Sequence, residues 1–174
     1  MFPKELVQAT EYLQSKITAS ERHEDGRVNS IDDEDSIIDV LIARYGDAVE
    51  RPAARTWYDL KLFGYYVNIK SSGLTGADNC SANMALLYCF TDAQLKCGWE
   101  HFYSSLAKRS TTDLGRNYYF IVLDKTTGKV YLQSLLTLAR LTPNGNNLPF
   151  QICWGRNLRP VKRTYEEAYR FLMD

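Results

Sequence analysis

Asp59, Asn68 and Lys70 place a carboxylate, an amide carbonyl and a cation within twelve residues. Phosphodiester hydrolysis needs those parts: an oxygen ligand set for Mg²⁺, and a positioned cation near the attacking water or the developing charge. Asp59, the side-chain carbonyl of Asn68 and Lys70 supply those parts. A third, acidic ligand would strengthen the site. Glu34, at a helix start, is the natural candidate.

The spacing has a structural reading. Thr56–Leu62 and Tyr65–Lys70 are strand-like runs separated by Phe63-Gly64. A two-residue turn there makes residue 62 face 65 and residue 59 face 68. Asp59 and Asn68 then lie opposite each other on one sheet face, and Lys70 shares the face of Asn68. A loop one residue longer would break this arrangement. A second frame exists: Asp59-Leu60-Lys61 is itself an acid-X-Lys triplet, and it would need an upstream acid such as Asp47 or Glu50.

Asp59 followed by Asn68-Ile69-Lys70-Ser71-Ser72 resembles the PD…(D/E)XK motif of type II restriction endonucleases. The pattern is similar to that of EcoRV-like enzymes. The string Tyr66–Ser72, with Ala77-Asp78-Asn79 after it, is similar to the NlaIV-like type, as is the later segment Asn147–Trp154 to C-terminal segments of small type II enzymes. The resemblance implies a Mg²⁺-dependent, sequence-specific endonuclease on double-stranded DNA. It assigns metal and catalytic roles to Asp59, Asn68 and Glu34, and water orientation or charge stabilisation to Lys70. Two positions depart from the motif: residue 68 is Asn where the family carries an acid, and no Pro immediately precedes Asp59.

The elements that must position these residues are legible in outline. Leu6, Ala9, Leu13 and Ile17 recur at helical spacing in a helix over 3–17. Residues 19–31 are polar, with a turn at Asp25-Gly26. A second helix starts among the acids 32–35, where its dipole favours them, carries Ile37, Ile38, Leu41 and Ile42, and stops at Gly46. After the hairpin, helices are expected over 78–91 and 93–108. A buried strand follows at Tyr118–Leu123, then Lys129–Leu132, a loop at 142–147, a strand at Phe150–Trp154, and a helix opened by the capping box Thr164-Tyr165-Glu166-Glu167. The fold class is therefore α/β (α+β): one domain over 1–174 with a mixed central β-sheet flanked by helices; the resemblance implies that it is restriction-endonuclease-like.

The formal charge is zero, but it is uneven: residues 1–50 hold 5 Lys/Arg against 12 Asp/Glu, leaving an excess of Lys/Arg in the remainder. An acidic part beside a basic part suits a metal site near a phosphate-binding surface. DNA contacts are expected from Ser71 and Ser72, which contact phosphate or merely close the strand. Asn144, Asn146, Asn147 and Gln151 are candidates for base reading, although turn chemistry alone explains the three asparagines. Arg159 and Lys162, in a basic group with Arg156 and Arg163, are candidates for phosphate contact. A homodimer is the economical partner for palindromic duplex sites. Four cysteines and two histidines without a C-x-x-C pair argue against zinc. No apolar stretch is long enough to cross a membrane and no signal peptide is recognisable, so a cytoplasmic location is expected.

Overall fold

The computed structural model describes residues 1–21, 31, 33–53, 56–79, 82–143 and 150–174. The expected turn at Asp25-Gly26, Cys80 and the candidate readers Asn144, Asn146 and Asn147 lie outside them. The chain falls into two compact units, residues 1–76 with 119–133, and residues 77–118 with 134–174.

The first unit sets two helices on a sheet. Helix α1 (Lys4–Glu21) buries Leu6, Ala9, Leu13 and Ile17, the stripe that its 3–4 spacing dictates, and runs one turn beyond the expected end. Helix α2 (Glu34–Tyr45) starts at Asp33. Asp33 accepts the Ser36 N–H at 2.7 Å, and the Ser36 hydroxyl accepts the Asp33 N–H at 3.2 Å. This reciprocal cap satisfies two otherwise orphaned donors. At the other end Gly46, at φ 50°, donates its N–H to Ile42 and stops the helix.

The sheet contains β1 (Val49–Glu50), β2 (Leu60–Leu62), β3 (Tyr65–Ser72), β5 (Tyr119–Asp124) and β6 (Lys129–Ser134), in the order β1-β2-β3-β5-β6. The first two pairings are antiparallel. β3 and β5 run parallel, which requires a crossover, supplied by residues 73–118. One sheet face contributes Leu60, Leu62, Val67, Ile69, Ile121 and Leu123 to a core with Leu13, Ile37 and Leu41 from the helices. Each such side chain contributes roughly 1.5–3 kcal/mol by burial. Edge-to-face contacts of Tyr45 with Tyr12 and Phe63, at 6.0 and 5.1 Å between centroids, tie both helices to the hairpin turn.

That turn is as the spacing predicts. Phe63 and Gly64 have φ of 53° and 80°, the two positive values of a type I′ hairpin. Leu62 faces Tyr65 and Leu60 faces Val67. The regular ladder stops there, so the strand is shorter than the expected 56–62.

The second unit carries β4 (Ala77–Asn79), α3 (Ala82–Phe90), α4 (Trp99–Leu106), β7 (Thr142–Pro143), β8 (Phe150–Cys153) and α5 (Tyr165–Met173). Its sheet has the order β4-β8-β7, both pairings antiparallel. Residues 77–79, which helical periodicity assigns partly to a helix, are thus a strand. Pairing with β8 outweighs local preference there. The expected helix over 93–108 begins only at Trp99, behind Gly98 at φ 121°. Helix α5 has the capping box as read from its sequence, with Ala168 and Leu172 buried. Its Tyr165 and Tyr169 rings pack on Phe90 at 5.1 and 5.4 Å.

Among the described residues no helix is long and apolar enough to cross a membrane. Cys89, Cys97 and Cys153 are free thiols. Burial pushes the Cys89 thiol above its ordinary range.

Candidate functional site

All four residues singled out for chemistry, Glu34, Asp59, Asn68 and Lys70, belong to the first unit. Glu34 is the first residue of α2, held there by the Asp33 cap. Lys70 lies near the end of β3, and its Nζ is 3.3 Å from Oε1 of Glu34. Residues 36 positions apart in the chain thus form an ion pair, with the lysine about one quarter exposed and the glutamate about half.

Asp59 precedes β2 and ends the hairpin ladder in an unusual way. Its N–H donates to the Val67 carbonyl at 3.0 Å, and its Oδ2 accepts the Ile69 N–H at 2.7 Å. A simple extension of the register would set Asp59 against Asn68. Instead the side chain substitutes for a backbone acceptor, and the two bonds of Asp59 bracket Asn68. Burial pushes the Asp59 carboxyl above the usual carboxylate range. The Ile69 amide and the charge of Lys70 pull it down without cancelling that effect, and Asp35 adds to the rise. Asn68 is half-buried, and its Oδ1 is a buried carbonyl oxygen without a hydrogen-bond partner among the described residues.

A cleft of about 400 Å³ opens between the start of α2 and the chain entering β2. Glu34, Asp35, Arg51, Thr56, Tyr58 and Asp59 line it, whereas Asn68 and Lys70 do not; Lys70 adjoins it through Glu34. Asp35 is occupied by Arg51, whose Nη2 is 3.0 Å from its Oδ1. In the competing frame, Lys61 reaches Glu50 at 3.9 Å and lies 5.0 Å from the Tyr66 ring centroid. Neither Lys61 nor Glu50 lines the cleft that Asp59 shares with Glu34.

Among the described residues no group of three or more His, Cys, Asp and Glu side chains stands within metal-binding reach. Mg²⁺ does not need such a cage, because it keeps several waters and is commonly held by one or two carboxylates. Glu34 and Asp59, two carboxylates lining one cleft, are the ligand type that this mode uses. The orphaned Asn68 Oδ1 is a further oxygen of the right kind.

The expected DNA-contact residues divide between the units. Ser71 and Ser72 continue β3, paired with Leu123 and Asp124, and the Ser72 hydroxyl accepts the Leu74 N–H at 3.1 Å. Gln151, Arg159 and Lys162 lie in the second unit. Gln151 sits in β8 opposite Asn79 and Thr142, and Arg159 and Lys162 are exposed. Arg163 is a packing residue: it donates to the Leu138 carbonyl at 2.6 Å and lies 3.8 Å from the Phe171 ring centroid. Arg51 is the cleft residue that sequence reasoning misses. Nothing in its spacing separates it from the other basic residues.

Comparisons of the chain with protein-family models, curated proteins and solved structures find no match.

Proposed function

We propose that this protein is a Mg²⁺-dependent endonuclease of double-stranded DNA, of the PD-(D/E)XK type II restriction kind, acting as a homodimer. The observation that carries the reading is the convergence of Glu34, Asp59 and Lys70 at one end of the first unit: a helix-borne acid 3.3 Å from the motif lysine, sharing a cleft with the hairpin aspartate. Lys61 of the competing triplet also meets an acid, Glu50, so what supports this frame is that Glu34 shares its cleft with Asp59 whereas Glu50 does not line it.

In hydrolysis a water oxygen bonds to phosphorus and the P–O bond to the leaving sugar breaks. The water gives up a proton to solvent and the leaving oxygen takes one from solvent, leaving a phosphate monoester and a free hydroxyl. Asp59 and Glu34 would hold Mg²⁺; Asn68 Oδ1, buried and outside the cleft lining, would become a further ligand only on a change of its side-chain rotamer. When bound, the ion would polarise the phosphate. Lys70, held by Glu34, orients the water or meets the developing negative charge. Tyr58 and Thr56 wall the cleft beside Asp59.

A second reading, a non-catalytic binding module, is favoured by Asn68 alone, since an amide binds Mg²⁺ less strongly than a carboxylate would. One experiment separates them: long mixed-sequence duplex DNA is incubated with the protein and Mg²⁺, with Asp59→Ala as control. Discrete fragments from the wild type and none from the variant are the expected result. Intact DNA with the wild type over a range of divalent metals would sink the enzyme reading.

A further inference from the structure

We infer that Arg51 is the phosphate-holding cation of the cleft, with Asp35 as the residue that positions it. The inference rests on the nuclease reading above and adds a residue that the motif does not contain.

Three carboxylates, Glu34, Asp35 and Asp59, line the cleft that a phosphodiester would have to enter. A divalent ion held by Glu34 and Asp59 would offset two of them and leave Asp35. Lys70 is engaged by Glu34 at 3.3 Å. Among the described residues, Arg51 is the cation that lines the cleft itself. It follows β1, and its guanidinium sits against the exposed side of α2, with Nη2 3.0 Å from Asp35 Oδ1 and Nη1 4.0 Å from Asp39 Oδ1. Those two acids are one helical turn apart, so one edge of the guanidinium is fixed. A guanidinium has more N–H groups than this contact uses, and its planar fork matches the paired non-bridging oxygens of a phosphate. Arg51 is shared between Asp35 and Asp39 and still has unused N–H groups to offer to the diester.

A stability role explains this arrangement poorly. The pair is exposed, 48% for Arg51 and 80% for Asp35. Ion pairs in such positions contribute at most about 1 kcal/mol. Removing the guanidinium should leave the fold intact, which makes the test clean.

The test compares wild type, Arg51→Ala and Arg51→Lys on long mixed-sequence duplex DNA with Mg²⁺. Mg²⁺ affinity is measured separately by calorimetry and thermal stability by unfolding. Arg51→Ala should cut on the order of 10²–10³-fold more slowly at saturating DNA, the usual loss for one donor to developing charge. Its Mg²⁺ affinity should be unchanged or tighter, because a cation beside the acids is gone, and its unfolding midpoint nearly unchanged. Arg51→Lys should recover part of the rate. Cleavage by Arg51→Ala at the wild-type rate would overturn the inference and leave the nuclease reading standing. So would a slower rate that is matched by an equal loss of Mg²⁺ affinity or by unfolding. A wild type that cuts nothing overturns both.

Discussion

Oδ2 of Asp59 accepts the backbone N–H of Ile69 at 2.7 Å, so a side chain completes the hairpin where the backbone ladder stops. This bond fixes the carboxylate, but burial dominates its ionisation and holds it above the usual range. A carboxyl whose native pKa exceeds its unfolded value binds protons more tightly when folded. Stability is then lost as pH rises through the native value and is regained below the ordinary aspartate value of 3.8. Asp59→Asn keeps an acceptor for Ile69 and removes the charge. It should stabilise the metal-free protein at neutral pH, with the gain vanishing in acid. Mg²⁺ should stabilise the wild type and not the variant. Denaturant titrations at neutral and acid pH, with EDTA and with Mg²⁺, read all of this. A variant less stable than wild type in EDTA at neutral pH would mean that burial does not dominate.

Both lysines of the competing frames have acidic neighbours, which makes their comparison informative. Lys70 is 3.3 Å from Glu34 and Lys61 is 3.9 Å from Glu50. Glu34 shares the cleft with Asp59, whereas Glu50 does not line it. Lys70→Ala should therefore lose cleavage by orders of magnitude, and Lys61→Ala should keep it. Single-turnover rates on duplex DNA with Mg²⁺ check the pair, and the reverse pattern would move the site to Asp59-Leu60-Lys61.

The register depends on Phe63-Gly64. A Cβ added at Gly64 meets nothing within 4 Å, so steric contact costs nothing there; the φ of 80° alone penalises a side chain. Gly64→Ala should cost ~1 kcal/mol, the usual expense of an L-residue in the left-handed region. Phe63 already bears that expense at φ 53°, held by its contact with Tyr45 at 5.1 Å. Urea unfolding measures the loss, and an unchanged midpoint would show that the turn relaxes into another type.

The features legible in the sequence were those set by local chemistry. The stripe Leu6, Ala9, Leu13 and Ile17, the cap at Thr164 and the turn at Phe63-Gly64 all follow from neighbours in the chain, and the structure has each of them. Ala77–Asn79 was not legible as a strand, because its partner, Gln151–Cys153, is more than seventy residues away. Asp59 shows the same limit within the site. Spacing gives its turn and register, but the slip that sends its carboxylate to Ile69 depends on where the ladder stops. Arg51 enters the cleft through a contact with the side of α2, and no periodicity records such a contact.

Asn68 offers the most direct test of a metal at this end of the sheet. Its Oδ1 is buried and unpartnered among the described residues, and the two backbone-directed bonds of Asp59 flank it at Val67 and Ile69. Leaving a buried carbonyl unsatisfied costs about 1–3 kcal/mol unless something else binds it. Replacing Asn68 with Asp puts a second carboxylate beside Asp59. Without metal the two charges repel, and burial penalises each, so Asn68→Asp should be less stable than wild type in EDTA. With Mg²⁺ the order should invert, because an ionised carboxylate attracts the ion more strongly than an amide does. Calorimetry should show tighter Mg²⁺ binding, and unfolding in Mg²⁺ should show a larger metal-induced gain than in wild type. Unchanged Mg²⁺ affinity in this variant would remove residue 68 from the ligand set, and absence of binding in both proteins would remove the site.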